Sequence, residues 1–166
     1  MNYPLQNSAG IIQLLSLMLM LTACDQYGTE TVTQSSYWQT SDKPLTQILE
    51  DAEFAITERN IRITGRLHIG KAIRDRNNPG YPDYEVIQYC SLTFAKKMLE
   101  MEPALITVCP GRITVRSDGD NYLIEAPLWP EPEAPGPLKS HMQSMNSMVR
   151  EIVDYAAEDW LDVTEP

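Results

Sequence analysis

Histidine, cysteine and phenylalanine are scarce in this sequence, whose 166 residues include 2 histidines, 3 cysteines and 2 phenylalanines. Two histidines leave few arrangements for acid–base catalysis at neutral pH. The sequence also lacks the Gly-x-Ser-x-Gly elbow, the P-loop, His-Glu-x-x-His, Cys-x-x-Cys and the dinucleotide-binding glycine fingerprint. We therefore expect a protein that is not an enzyme.

Basic residues are also few, since 13 lysines and arginines face 23 aspartates and glutamates and give a formal charge of −10. A protein that binds nucleic acid needs a basic surface for the phosphates, and this charge balance does not supply one. We expect no nucleic-acid partner. The length fits one domain with a core large enough to fold without metal or disulfide support.

The first 23 residues contain no charged side chain, and residues 11–23 are predominantly apolar. A helix over that apolar segment would be about 20 Å long, whereas the hydrocarbon core of a bilayer is about 30 Å thick. The segment therefore fits a signal peptide better than a membrane span. It ends in Leu21-Thr22-Ala23-Cys24, which resembles the lipobox of bacterial lipoproteins. The alternative is a buried N-terminal helix with an incidental cysteine.

The lipobox resemblance implies that Cys24 receives the acyl chains and becomes the first residue of the mature protein. Several acyl chains on one residue anchor a protein stably, because each buried CH₂ contributes about 0.8 kcal/mol. Asp25 and Gln26 resemble residues that retain lipoproteins in the inner membrane. We expect a signal peptide over 1–23, the lipidated cysteine and a flexible tether over 24–36, and a single domain over 37–163. The lipid bilayer is then a partner, at the periplasmic face of the inner membrane.

Helical and strand periodicities alternate along the remaining chain. Apolar residues recur at helical spacing in three segments, and polar and apolar residues alternate in several short ones. The pattern predicts a short strand at the start of the domain, at 37–38, helices over 44–60, 91–102 and 138–160, and further strands over 61–69, 84–89, 104–108, 111–117 and 122–126. This order indicates a two-layer α+β domain in which a mostly antiparallel sheet has helices packed on one face.

Three separated segments resemble the family called domain of unknown function 302. They are GRLHIGKAI at 65–73, YPDYEVIQYCSLTFAKKMLEMEPAL at 81–105 and PGRITV at 110–115. Many members have Pro-Cys-Arg before the last hairpin, whereas this chain has Cys109-Pro110-Gly111-Arg112. The resemblance implies a compact α+β fold that is often dimeric, so a homodimer is a further expectation. It implies no particular activity.

Five basic side chains are predicted to share one sheet face. In the alternating pattern, Arg62, Arg66 and His68 lie on the polar side of one strand, and Arg112 and Arg116 lie on the polar side of another. Because the apolar sides of both strands must meet the helices, the polar sides coincide. Arginine suits carboxylate and phosphate, so this face is a candidate site for a small anionic ligand or a protein partner. The alternative is a solvated face on which neighbouring acids balance the arginines.

Metal binding is the rival interpretation, although the sequence requires no cofactor. His68 could ligate haem iron or another metal, or could form a hydrogen bond within the sheet. A second candidate for copper is the group His141, Met142, Met145 and Met148, because thioethers and imidazole suit Cu(I). Methionines at helical spacing are equally the ordinary filling of a core.

Two cysteines, Cys90 and Cys109, remain in the mature domain. An oxidising compartment would allow them to form a disulfide. Sequence alone leaves two free buried thiols as the alternative, because it does not give the distance between them.

Overall fold

The computed structural model describes residues 35–159. The strands are β1 (Ser36–Ser41), β2 (Arg62–His68), β3 (Tyr84–Cys90), β4 (Gly111–Asp118) and β5 (Asn121–Pro127). The α-helices are α1 (Leu45–Glu58), α2 (Ile69–Arg74), α3 (Leu92–Met101) and α4 (Pro137–Ala157), and a 3-10 helix covers Pro103–Val108. The predicted signal peptide and Cys24 lie outside the described residues, as does nearly all of the predicted tether.

The strands form one sheet in the order β1-β5-β4-β3-β2, and every neighbouring pair is antiparallel. Strands β4 and β5 are joined by a tight turn in which Gly119 has a φ of 64°, a conformation that glycine adopts without steric cost. Strand β1 then pairs with β5, so the first and last strands lie side by side. The α+β prediction is confirmed.

The core lies between one face of this sheet and the helices. Alternate residues of β3, β4 and β5 are buried, and α1 and α4 contribute fully buried side chains from their facing sides. Helices α1 and α4 contact each other. Helix α1 also contacts β2, and α4 also contacts β1 and β5. Helices α1 and α4 cover one side of the sheet, and within residues 35–159 neither of them packs on the opposite side. We call this opposite side the outer face.

Helix α4 also fixes the proline-rich connector that precedes it. The buried Asn146 side chain accepts a hydrogen bond from the Trp129 backbone N–H at 2.7 Å and donates to the Trp129 carbonyl at 3.1 Å. A buried amide bonded in this way satisfies backbone groups that lie outside the sheet. The connector is therefore held against the helix at Trp129.

Two details of the predicted elements are wrong. Residues 104–108 are not a strand, because they belong to the 3-10 helix Pro103–Val108. The Glu102 carboxylate accepts the Ala104 N–H at 3.2 Å and begins that helix. Residue Ile69, assigned above to a strand, is the first residue of the short helix α2. Short apolar runs are ambiguous between helix and strand by periodicity alone.

Candidate functional site

A β-bulge in β2 determines which basic residues reach the outer face. Ile63 pairs with Tyr89, but Gly65 pairs with Gln88, so Thr64 is an extra residue in the ladder. One extra residue reverses the side of every residue that follows it. After the bulge, Arg66 is opposite the buried Ile87 and therefore lies on the helix side of the sheet.

Arg66 and His68 each have a carboxylate partner on the helix side. The Arg66 guanidinium donates two hydrogen bonds to the Glu53 carboxylate of α1, one of them 2.6 Å long. Nδ1 of His68 lies 2.6 Å from the carboxylate of the buried Glu85. The prediction that all five basic side chains share one face is therefore wrong for Arg66 and His68. The cause is the bulge, which strict alternation does not anticipate.

Three arginines do lie on the outer face. Arg62 is opposite Cys90, Arg112 is opposite Gln88, and Arg116 is opposite Tyr84. Residues directly opposite in an antiparallel pair point to the same side. The strands β2 and β4 lie on either side of β3 and so are about 10 Å apart, and Arg62 and Arg112 are also offset by two residues along the strand direction. The same face exposes two large apolar side chains, Trp38 (56%) and Leu67 (48%).

Arg62 and Arg112 differ from most other arginines of the domain in having no acidic partner. Within residues 35–159, the arginines that form ion pairs with carboxylates are Arg59, Arg66, Arg74 and Arg116. The Arg116 pair, to Asp118, is 3.5 Å long. Two guanidinium groups on one face thus keep their hydrogen-bond donors available.

A small cavity of about 80 Å³ adjoins one of these two arginines. Arg112, Gly111, Pro110 and Trp129 are among the residues that line it. Behind Gly111 lies the ring of Tyr89, whose hydroxyl is buried without a hydrogen-bond partner. Burial raises the pKa of that hydroxyl further above its ordinary value. Arg112 therefore lies between the outer face and a partly polar cavity.

The sequence does not indicate this cavity, because its walls come from three separate segments: the end of the 3-10 helix, the start of β4 and residues 127–129. The available signal was Gly111, since a glycine inside a strand pattern often marks a close approach. A Cβ at this position would lie 2.6 Å from the Tyr89 ring.

Cys90 and Cys109 are free thiols whose sulfur atoms are 3.4 Å apart. Both are half-buried. Burial raises the pKa of the Cys109 thiol to about 11, and the hydrogen bond to Cys90 and the charge of Cys90 act in the same direction. The two cysteines that the sequence singled out are therefore in contact at the end of β3.

The residues proposed for copper do not form an open site. Met142 and Met145 are fully buried in the core, and Met148 packs against it. His141 stacks on the Phe94 ring with 3.8 Å between the ring centroids, and its Nε2 lies 3.1 Å from the Phe94 carbonyl oxygen, to which it donates. The helical spacing of the three methionines therefore reflects core packing. In the described part of the chain, no three His, Cys, Asp or Glu residues are grouped closely enough to hold a metal ion.

The geometry defines a two-layer α+β domain with helices on one side of an antiparallel sheet and an arginine-bearing outer face. The chain belongs to the family described as domain of unknown function DUF302, whose family model matches residues 37–129. The resemblance inferred from three sequence segments is confirmed.

One solved structure with this fold is that of an uncharacterized conserved protein DUF302 from Bacillus stearothermophilus. It superposes with a TM-score of 0.63 at 11% sequence identity, covering 74% of this chain and 98% of that chain. At this identity the likeness shows the fold alone. Comparison with curated proteins gives no match. In residues 35–159, no helix is both long and apolar enough to cross a bilayer.

Proposed function

We propose that this protein is a lipid-anchored protein of the bacterial envelope that binds a small anionic ligand, or an anionic group of a protein partner, on its outer face. The anchor would be Cys24, on the strength of the Leu-Thr-Ala-Cys segment after an uncharged apolar stretch. The bilayer is then the first partner, and the domain is held near it by a short tether.

The observation that carries the binding proposal is a pair of guanidinium groups, those of Arg62 and Arg112, that have no acidic partner within residues 35–159. The protein has 23 acidic residues and 13 basic ones, so it contains enough carboxylates for every arginine to have an acidic partner. An arginine presents planar, paired donors that match carboxylate and phosphate oxygens. We infer that these two positions recognise an anion from outside the domain, with Arg112 and its cavity forming the centre of the site.

Titration calorimetry with inorganic phosphate and with acetate tests this proposal. A hydrogen-bonded charged pair contributes about 1.5–3 kcal/mol, so Arg112→Ala is expected to weaken binding about 10- to 100-fold. Arg76→Ala is the matched control, because Arg76 is an exposed arginine in the turn after α2 and lies off the outer face. Equal affinities for the Arg112→Ala and Arg76→Ala proteins would contradict the proposal.

Haem binding at His68 is the second candidate function. The side chain of His68 is 57% exposed, and its Nδ1 is held by the buried Glu85 carboxylate. When the ring is neutral, Nδ1–H donates to that carboxylate and the Nε2 lone pair is directed away from it. An imidazole oriented by a carboxylate is typical of a metal ligand. A titration of haem into the protein should then shift the Soret band, and His68→Ala should abolish the shift while His141→Gln retains it. An unshifted band with the unaltered protein would exclude this candidate.

A further inference from the structure

The two thiols of the domain meet where the β3–β4 ladder ends. Tyr89 pairs with Gly111, so the chain immediately before β4 passes beside Cys90. The next position, Pro110, has no N–H and cannot continue the ladder. Cys109 precedes it and ends the 3-10 helix, which places the Cys90 and Cys109 sulfurs 3.4 Å apart.

This separation is close to that of a bonded pair. A disulfide has an S–S length of about 2.05 Å, so the sulfur atoms need to approach by only about 1.4 Å. Both side chains are half-buried, which leaves a path for a small reagent while keeping the two sulfurs facing each other. Cys90 and Cys109 are the only cysteines among the described residues, so no other thiol of that region competes for either sulfur.

We propose that Cys90 and Cys109 are a site of intramolecular disulfide formation. With a small-molecule disulfide as oxidant, one thiolate attacks a sulfur of that disulfide, forms a mixed disulfide and releases one thiolate. The second thiolate then attacks the mixed disulfide at the protein sulfur and releases the other half of the oxidant. The cysteine pair loses two protons and two electrons, and the small-molecule disulfide gains the two electrons.

The bond would tie the carboxyl end of β3 to the segment that enters β4. Thr107, Val108 and Pro110, on both sides of Cys109, line the cavity beside Arg112. A disulfide at Cys109 therefore fixes one wall of that cavity. It also closes the loop over residues 90–109, which reduces the entropy of the unfolded chain.

The test uses the full chain carrying Cys24→Ser, so that the result does not depend on lipidation. The reduced protein is incubated with oxidised glutathione, its remaining thiols are alkylated, and its peptides are analysed by mass spectrometry without reduction. We expect the peptide containing Cys90 to be linked to the peptide containing Cys109. Recovery of both cysteines as separate alkylated or glutathione-bearing peptides would overturn the proposal.

Single-cysteine variants and thermal unfolding supply the controls. Cys90→Ser and Cys109→Ser, each in the same Cys24→Ser chain, are expected to stop at the mixed disulfide with glutathione. The oxidised two-cysteine protein should unfold roughly 10 °C higher than its reduced form. The Cys90→Ser protein should show no such difference between oxidised and reduced samples. An unchanged midpoint in the two-cysteine protein would refute the inference that the bond constrains the chain.

Discussion

Gly111 is the residue at which β4 comes closest to the buried ring of Tyr89. The hydroxyl of Tyr89 has no hydrogen-bond partner among residues 35–159, although the side chain is only 1% exposed. A buried hydroxyl without such a bond is unfavourable, whereas the contacts of the packed ring behind the glycine are favourable. This close approach also brings Arg112, the next residue, to the edge of the cavity.

Substituting Gly111 by alanine tests this packing. A Cβ would lie 2.6 Å from one Tyr89 ring atom and 2.8 Å from the hydroxyl oxygen. We expect Gly111→Ala to lower the free energy of unfolding by about 1–3 kcal/mol, because overpacking forces buried groups to shift. Urea denaturation measures the change. Gly80→Ala is the control, because a Cβ at that position would have no atom of the described residues within 4 Å apart from those of its immediate chain neighbours. Similar stabilities for the two variants would show that Tyr89 is not confined by the glycine.

Arg66 shows how a single local irregularity changes a residue's role. Strict alternation from Arg62 places it with the other arginines, yet the extra residue Thr64 turns it toward Glu53 of α1. The sequence signal was Gly65, since a glycine inside a strand pattern often marks a bulge, but a glycine alone does not specify which residue is the extra one. The faces of β4 could be predicted because its alternation is unbroken, with Ile113 and Val115 buried.

Among the elements, the strongly periodic ones were the most predictable. The last helix was predicted from its apolar spacing, and the β4–β5 hairpin from its turn residues around Gly119. The short helix α2 and the 3-10 helix were missed, because six residues are too few to establish a period. The position of β1 beside β5 could not be predicted either. That pairing joins segments far apart in sequence, and no local pattern reports it.

The connector between β5 and α4 depends on one buried side chain. Asn146 bonds both backbone polar groups of Trp129 and also donates to the Glu131 carboxylate at 2.8 Å. Asn146→Ala removes these bonds and leaves buried backbone groups unsatisfied, so we expect a loss of about 1–3 kcal/mol in unfolding free energy. Chemical denaturation of the purified protein and of the Asn146→Ala variant measures this difference in unfolding free energy.

Ser147→Ala provides the comparison for Asn146, since Ser147 is the next residue of α4 and is exposed. Its substitution is expected to change the unfolding free energy by no more than about 0.5 kcal/mol. If both variants lost the same small amount, the connector would not be held by Asn146.

The molecule as a whole has an acidic sheet domain, an outer face on which Arg62 and Arg112 have no acidic partner among the described residues, and, as proposed above, a lipid anchor at Cys24. The net charge of −10 resides entirely after residue 23. An acidic domain is not drawn to an anionic bilayer surface, so the acyl chains would have to supply the attachment.

Replacing Cys24 by serine tests the proposed anchor. Labelled palmitate should enter the unaltered protein and not the Cys24→Ser protein, because serine has no thiol to receive the diacylglyceryl group. In cell fractionation, the substituted protein should leave the membrane fraction. Cys90→Ser is the matched control and should retain both the label and the membrane location. Equal labelling of the Cys24→Ser protein would contradict the lipoprotein assignment.

The most direct measurement of the central claim is phosphate affinity in three proteins: the unaltered chain, the Arg62→Ala/Arg112→Ala double variant and the Arg66→Ala variant. The first two arginines lie on the outer face and have no acidic partner in the part of the chain that the structure describes, whereas Arg66 lies on the helix side and is paired with Glu53. We predict that the double variant loses phosphate binding while Arg66→Ala binds as the unaltered chain does. Loss of binding in Arg66→Ala, or retention in the folded double variant, would contradict the account.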